Sequence, residues 1–215
     1  MRQRKLKNLE AKYEGFEDII TEEPAKYRGK WSTLSGGKPI YIEVGCGKGK
    51  FISELAAREP EHFFVAIEGN KSVMLRALQK VKAQGLDNVF FVPLIARSLD
   101  EWFDEGEASG IYLNFSDPLP KNYQYKRRLT YRDRLNSYFR VLKAGGTLTF
   151  KTDNTELFEW SILEIVAANL KIIEITRDLH ADPEKARGNI ETEYETKYSQ
   201  LGSKIKKVVV TRRTN

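Results

Sequence analysis

The sequence has very little cysteine and no long apolar run. Cys46 is the single cysteine among 215 residues, so no disulfide can form within the chain, and we expect a reducing, cytoplasmic location. No apolar stretch approaches the roughly 20 residues that cross a bilayer, so we expect no membrane partner. The N-terminus from Met1 to Lys7 is basic and lacks the apolar core of a secretory signal. Internal repeats and low-complexity tracts are also absent.

Basic residues outnumber acidic ones, 36 to 30, which gives a formal net charge of +6. The excess is clustered: between Leu119 and Arg134 six lysines and arginines accompany one aspartate, and both termini are basic. Such clusters favour a nucleic-acid partner. The length suits one α/β domain, which we place at residues 37–215. Residues 1–36 are expected to form a basic arm with one or two short helical pieces.

Apolar strand-like runs alternate along the chain with segments of helical periodicity. This alternation predicts an α/β fold with a doubly wound, mostly parallel sheet and right-handed crossovers. The helices are expected at 51–58, about 73–84, 131–142 and 157–170. The strands are expected at 40–44, 63–67, 89–92, 111–115, 147–151, 170–176 and 205–211.

A glycine-rich turn separates the first strand from the first helix. Its glycines, Gly45, Gly47 and Gly49, allow backbone angles that other residues avoid and let the backbone approach a ligand closely. The spacing departs from the dinucleotide fingerprint, because Lys50 occupies the position of that fingerprint's last glycine. The turn therefore favours an adenosine-bearing ligand other than NAD. Cys46 is interpreted as a small turn residue rather than a nucleophile.

Four acids, Glu43, Glu68, Asp117 and Asp153, stand at the C-terminal ends of predicted strands, where ligands of such sheets bind. Glu68 follows Gly49 by 19 residues, a spacing suited to accepting hydrogen bonds from ribose hydroxyls. Glu43 would attract an ammonium or sulfonium group, as in S-adenosylmethionine, and repel a pyrophosphate. The alternative for each acid is a solvated strand end or a helix cap.

Several further motifs occur in a consistent order over roughly residues 40 to 200. Together with the glycine turn and Glu68, they resemble those of the bacterial tRNA (guanine-N7-)-methyltransferases. The motifs are Asn114 to Lys121, Lys126 to Thr130, Thr152 to Asn154, Asp178 to His180 and Gly188 to Glu195. The resemblance implies a Rossmann-like class I methyltransferase fold with seven strands, of which the last is antiparallel. It also implies methyl transfer from S-adenosylmethionine to N7 of guanine 46 in the tRNA variable loop.

The resemblance assigns roles to individual residues, with Asp117 as the catalytic residue. It implies that S-adenosylmethionine is bound by Glu43, Gly45, Gly47, Gly49, Glu68, Ile95, Ala96 and Asp117. Substrate contacts are implied for Lys121, Asp153, Thr192, Glu193, Tyr194 and Glu195, and RNA contacts for Tyr123, Lys126, Arg127 and Arg128. The expected partner is tRNA, the protein is expected to be a monomer or homodimer, and we predict no metal site.

The chemistry of the acceptor agrees with these roles. Guanine N7 carries an exposed lone pair in the neutral base, so it attacks a sulfonium methyl group without first being deprotonated. Asp117 and Asp153 are suited to holding the N1–H and N2–H donors of guanine and stabilising the cationic ring that methylation creates. Single-stranded loops allow the base to be unstacked at low cost.

Some residues depart from the family pattern. Ile95 stands where an acid or amide usually meets the adenine, so a backbone carbonyl or the Ala96 amide would have to serve. Leu119 replaces a usual tryptophan, and Tyr123-Gln124 replace basic residues or histidine, although Tyr123 or Tyr125 can stack on bases. These departures leave two alternatives open: a non-catalytic RNA-binding protein of the same fold, or a class I methyltransferase for another RNA or small substrate.

Two of the motifs also have purely structural interpretations. Thr192-x-x-Glu195 matches a capping box at the start of a helix. Lys126 to Arg128 matches an ordinary solvated run of charge. His180 is expected to have a structural role or to support a neighbouring site residue, rather than to act in catalysis.

Overall fold

The computed structural model describes residues 11–213, so the basic cluster from Met1 to Lys7 lies outside the described part of the chain. Seven strands form one sheet in the order β3-β2-β1-β4-β5-β7-β6. Their bounds are β1 Ile40–Val44, β2 Phe63–Ile67, β3 Val89–Val92, β4 Ala108–Asn114, β5 Leu142–Thr152, β6 Leu170–Thr176 and β7 Lys206–Arg212. β1 to β5 pair in parallel, and β7 is antiparallel to both of its neighbours. The predicted seven-stranded sheet with an antiparallel last strand is confirmed.

Helices cover both faces of the sheet. The α-helices are α1 Trp31–Ser35, α2 Lys50–Arg58, α3 Lys71–Ala83, α4 Arg132–Val141, α5 Thr155–Ala167, α6 Pro183–Ala186 and α7 Glu193–Gln200. Short 3-10 helices span Glu17–Ile19, Pro24–Tyr27, Leu99–Glu101 and Asn122–Arg127. None of the helices described between residues 11 and 213 has the length and apolar character needed to cross a membrane.

The central strands are apolar throughout because both of their faces are buried. All five residues of β2 are buried, and successive side chains point to opposite faces of the sheet. Phe63, Val65 and Ile67 join a core with α1, α4 and α5, whereas Phe64 and Ala66 join a second core with α2 and α3. This two-sided burial is the physical basis of the doubly wound arrangement.

β5 is longer than predicted. The sequence predicts its start at Thr147, after a helix stop at Gly145-Gly146, but the strand begins at Leu142. Leu142 pairs with Ala108, and the register then shifts before Gly110 pairs with Thr147. Gly145 lies within this irregular stretch with φ of 75°. The glycines therefore mark an irregularity in the strand rather than a loop.

Residues 11–36 pack against the edge of the sheet at β3 and contain three short helices, one more than the upper number expected. Ile20 forms a parallel bridge with Phe91, and the Thr21 N–H donates to the Phe91 carbonyl at 3.0 Å. Trp31 is fully buried, its indole N–H donates to the Trp102 carbonyl at 2.8 Å, and its ring stacks on Phe103. This segment covers an edge strand that would otherwise expose unpaired backbone groups.

We expect Trp31→Ala to lower the free energy of unfolding by about 3–5 kcal/mol, because it removes a fully buried aromatic ring and its hydrogen bond. Urea unfolding followed by circular dichroism measures the change. Leu163→Ala on the exposed face of α5 serves as a control and should alter the free energy by no more than about 0.5 kcal/mol. Equal unfolding midpoints for the two variants would show that residues 11–36 add nothing to the stability of the domain.

Candidate active site

A cleft of about 350 Å³ opens at the C-terminal ends of β1, β2 and β4. It brings together five of the predicted cofactor-binding residues: Gly45, Glu68, Ile95, Ala96 and Asp117. Arg127, predicted as an RNA contact, also lines this cleft. The position agrees with the general location of ligands at the carboxyl ends of strands in doubly wound sheets.

The glycine turn at the edge of the cleft adopts backbone angles that favour glycine. Gly45, Gly47 and Gly49 have φ of 86°, 57° and 78°. A Cβ atom at Gly49 would lie 2.5 Å from the Cβ of Ala77, so this glycine also allows α2 and α3 to pack closely. Burial raises the pKa of the Cys46 thiol, which keeps it protonated and agrees with its interpretation as a turn residue.

Glu68 fastens the glycine turn to the end of β2. One carboxylate oxygen accepts from the Gly47 N–H at 3.1 Å, and the other accepts from the Asn70 N–H at 2.8 Å. Each oxygen keeps a further lone pair, because a carboxylate has about four acceptor positions. Glu68 can therefore hold the turn and accept from ribose hydroxyls at the same time.

Glu43 is buried directly behind the cleft, next to the lining residues Val44 and Gly45. Its Oε1 accepts from the Asn114 amide at 2.9 Å, whereas Oε2 has no hydrogen-bond partner within residues 11–213. Burial raises the pKa of Glu43 to about 8.

Asn114 Oδ1 and Ser116 Oγ are also buried and lack hydrogen-bond partners among the described residues. Buried polar groups are nearly always hydrogen-bonded. Three such unpartnered atoms, at Glu43, Asn114 and Ser116, around one cleft fit a polar ligand with a cationic end, which the donor set of S-adenosylmethionine provides.

Asp117 is exposed on a stiff, strained loop that follows β4. Phe115 and Leu119, on either side of it, have φ of 52° and 43°, in the left-handed region that costs non-glycine residues about 1–3 kcal/mol each. Arg128 braces this loop by donating to the carbonyls of Pro118 and Leu119 at 2.9 and 3.2 Å. Its guanidinium also lies over the Trp160 ring, so Arg128 is directed toward the protein.

The start of α7 lies over the C-terminal ends of β4 and β5. Thr192 caps this helix by accepting from the Glu195 N–H at 2.9 Å, which is one half of the predicted capping box. The Tyr194 hydroxyl donates to Asp153 at 3.3 Å, and the Tyr194 ring lies 5.1 Å from that of Phe115. These contacts bring the predicted substrate residues of α7 next to the loop that carries Asp117.

Glu195 makes no second half of a capping box, because its carboxylate is fully buried and bonded elsewhere. One oxygen accepts from Lys151 Nζ at 2.6 Å, and the other accepts from the Asn189 amide at 2.8 Å and lies 3.3 Å from His180 Nε2. Lys151 also donates to the Ile190 carbonyl at 2.8 Å. Burial lowers the pKa of Lys151, and the neighbouring Glu195 carboxylate opposes that shift.

The remaining predicted residues lie outside the cleft. Glu193 reaches across to Lys80 on α3 at 2.7 Å. Lys121, Tyr123 and Lys126 are exposed on the outer loop, where the Lys121 ammonium lies 5.9 Å from the centre of the Tyr123 ring.

Lys151, Asn114 and Phe115 belong to the candidate site but were not predicted as site residues from the sequence. A lysine inside the apolar β5 strand, two residues before Asp153, was the available signal for Lys151. Asn114 and Phe115 lay within a recognised motif, but only the fold places them beside Glu43 and Tyr194.

The sequence of this chain is similar to those of known methyltransferases. A family model described as a putative methyltransferase matches residues 37–208. The tRNA (guanine-N(7)-)-methyltransferase of Bacillus velezensis is 46% identical, covering 92% of this chain and 90% of its own length. The enzymes of the same name from Brevibacillus brevis and Bacillus subtilis are 43% and 45% identical, covering 97% and 92% of each of the two chains compared.

Solved structures show the same fold at much lower identity. The 16S rRNA methyltransferase KamB superposes with a TM-score of 0.63 at 16% identity, over 86% of this chain and 94% of its own. An antibiotic-related methyltransferase gives a TM-score of 0.62 at 20% identity, over 85% and 92% of the two chains. The resemblance seen in the motifs thus extends over nearly the whole chain, which belongs to the tRNA (guanine-N(7)-)-methyltransferase family.

Proposed function

We propose that this protein transfers a methyl group from S-adenosylmethionine to N7 of guanine 46 in the variable loop of tRNA. The observation that carries this proposal is the cleft at the strand ends, which Asp117 lines and where the buried Glu43, next to the lining residues Val44 and Gly45, keeps an unpartnered oxygen. The relatives named tRNA (guanine-N(7)-)-methyltransferase, which are 43–46% identical over most of the chain, support the choice of substrate. We place the methyltransferase domain at residues 37–215 and the arm at residues 1–36.

We assign cofactor binding to the glycine turn and the residues around it. S-adenosylmethionine supplies a methyl group bonded to a positively charged sulfur, which leaves as a neutral thioether when the methyl group is transferred. Gly45, Gly47 and Gly49 let the backbone approach the cofactor, Glu43 faces its cationic end, and Glu68 accepts from its ribose. For the adenine we propose the side chain of Ile95 and the N–H of Ala96, whose carbonyl already accepts from Arg134 at 2.7 Å.

For the acceptor, the chain's main task is to position a neutral guanine so that N7 faces the methyl group. We propose that Asp117 and Asp153 accept hydrogen bonds from N1–H and N2–H of the guanine and stabilise its positive charge after transfer. Tyr194 is already held against Asp153 and offers its ring to the base. Thr192, Glu193 and Lys121 are proposed to complete the substrate contacts.

The outer loop is proposed to hold the tRNA. Lys126 and Arg127 are exposed there and suit phosphate groups, and Tyr123, which is 74% exposed, suits stacking on a base. Arg128 contributes to the RNA surface mainly by bracing the loop. We propose that the enzyme acts in the cytoplasm as a monomer or homodimer.

Glu195 belongs to the substrate segment but is fully buried, so we propose that it positions this segment through Lys151. Lys151 lies two residues before Asp153, and Glu195 directly follows Tyr194. The ion pair thereby sets the distance between the two side chains that are proposed to contact the base.

To test this function, the protein is incubated with labelled S-adenosylmethionine and bulk tRNA. The tRNA is then treated with borohydride and aniline, which cleave the chain at 7-methylguanosine. We expect methyl incorporation and cleavage at one variable-loop position. Incorporation without cleavage would point to a different methylated atom, and tRNA binding without incorporation would point to a non-catalytic RNA-binding protein.

The Asp117→Ala variant tests the proposed catalytic residue in the same assay. We expect the rate to fall by at least about 10²-fold, because an electrostatic contact to the acceptor is lost. The unfolding midpoint should be unchanged, because an exposed loop carboxylate contributes little to the core. Near-normal turnover would remove Asp117 from the catalytic role.

The raised pKa of Glu43 predicts a pH-dependent affinity for the cofactor. A cation binds the ionised carboxylate, so from about pH 6 to about 7.5 the affinity for S-adenosylmethionine should rise with pH, by up to about tenfold per pH unit. Isothermal titration calorimetry measures this rise. Glu43→Gln should flatten it, and 5′-methylthioadenosine, which carries no cation, should bind equally at each pH. A rise that persists in Glu43→Gln would assign the titration to another group.

We expect Lys151→Met to destabilise the fold by about 3–5 kcal/mol, because it leaves the buried Glu195 carboxylate without its cation. Lys151→Met combined with Glu195→Leu should recover stability, because an apolar pair of similar volume is tolerated at such positions. The double variant should nevertheless transfer methyl at least about tenfold more slowly, since an apolar pair does not fix Tyr194 against Asp153.

Urea unfolding and steady-state methyl transfer measure the two effects separately. The exposed pair Arg177 and Glu159, replaced in the same way, serves as control and should change neither quantity appreciably. Full activity in the stable Lys151 and Glu195 double variant would reduce the ion pair to a purely structural element.

A further inference from the structure

A second cavity, of about 550 Å³, lies beside the active-site cleft. The two cavities share three lining residues, Ile95, Arg127 and Arg134, so they form one continuous depression in the surface. Arg97 and Tyr131 are among the residues that line the second cavity alone. None of the residues confined to this second cavity is proposed above to bind the cofactor or the guanine. One of them, Lys126, is proposed to contact the RNA at an unspecified phosphate.

The lining of the second cavity is strongly basic. It contains Arg97, Lys126, Arg127 and Arg134 against a single acid, Asp133. Within residues 11–213, no acidic side chain forms an ion pair with any of these four cations. Other arginines of α4 differ, because Arg132 pairs with Glu164 at 2.9 Å and Arg140 pairs with Asp100. Arg97, Lys126 and Arg127 therefore remain available to an anion, whereas Arg134 also holds backbone carbonyls.

An apolar surface adjoins these cations. Ile95 is 74% exposed and rests on Gly69, where a Cβ atom would lie only 2.3 Å from Ile95 Cγ1. Tyr131 lies in the same wall. An anion-binding surface next to apolar and aromatic side chains fits a nucleotide better than an inorganic ion, because a nucleotide carries both a phosphate and a flat apolar face.

The backbone of this wall is held in place before any ligand binds. One guanidinium nitrogen of Arg134 donates to the carbonyl of Ala96 at 2.7 Å and to that of Arg97 at 3.1 Å. The Ser98 hydroxyl lies 2.9 Å from that of Ser137 on α4. A preorganised wall loses less conformational entropy when it binds a ligand.

We propose that this second cavity binds the nucleotide next to the target guanine, with its phosphate on Arg97 and Arg127 and its base or ribose on Ile95. The inference rests on the proposed function, because a guanine in the cleft must be unstacked from a strand that continues on either side. Each neighbouring nucleotide carries one phosphate to within a single nucleotide's length of the cleft. The continuous depression gives that strand a basic path out of the active site.

Arg97→Ala tests this proposal, with Lys143→Ala as the charge-matched control. Lys143 is exposed near the start of β5, so it lies at the opposite end of this strand from the cleft. We expect Arg97→Ala to weaken binding of an unmodified tRNA transcript about tenfold and to reduce the slope of log K against log[salt] by about 0.7. Affinity for S-adenosylhomocysteine should stay unchanged, and Lys143→Ala should bind tRNA like the wild type.

A second measurement identifies the phosphate. Variable-loop hairpin RNAs in which a neutral methylphosphonate replaces the phosphate on either side of the target guanine should bind more weakly than the unmodified hairpin. At one of the two positions, the methylphosphonate should not weaken binding by the Arg97→Ala protein any further, because the side chain that contacts this phosphate is already absent. Additive losses at both positions, or equal tRNA affinity of the Arg97 and Lys143 variants, would overturn the proposal. Both readouts are binding constants, so they remain separate from a failure of wild-type protein to methylate tRNA.

Discussion

Parallel hydrogen bonding of β2, β1, β4 and β5 places the carboxyl ends of four strands along one edge of the sheet. Every proposed chemical group of the site depends on this alignment. Glu43, Glu68, Asp117 and Asp153 are far apart in sequence and meet only because their strands run in the same direction. The antiparallel β7 adds the second constraint, since the connection between β6 and β7 carries α7 back over this edge.

Three buried side-chain atoms at this edge, in Glu43, Asn114 and Ser116, have no hydrogen-bond partner within residues 11–213. Away from it, Thr130 bonds Ser161 at 2.6 Å, and the Asn88 amide donates to three backbone carbonyls. At the edge, Glu43 retains an unpartnered oxygen, and Phe115 adopts a strained backbone conformation. Local rules of folding are broken mainly at functional sites, where a ligand supplies the missing contacts or the strain aims a side chain.

Residues of one motif serve different purposes once the fold is known. Thr192 caps α7, Tyr194 reaches Asp153, and Glu195 turns inward to a buried lysine. In the basic run, Lys126 and Arg127 face outward, whereas Arg128 supports the strained loop. Sequence patterns name such residues together because they are adjacent in the chain, but a helix or turn directs adjacent side chains to different surroundings.

The sequence alone determined the strand positions of β2 and β3, the glycine turn and the family, because burial on both faces demands continuous apolar runs and a tight turn demands glycine. Only the tertiary structure decided the partner of Glu195, the start of β5 and the joining of Ile95, Arg97 and Arg134 in one wall. These features depend on contacts between residues roughly 35 to 45 positions apart, whose pairing is set by packing in three dimensions and leaves no local periodicity in the chain.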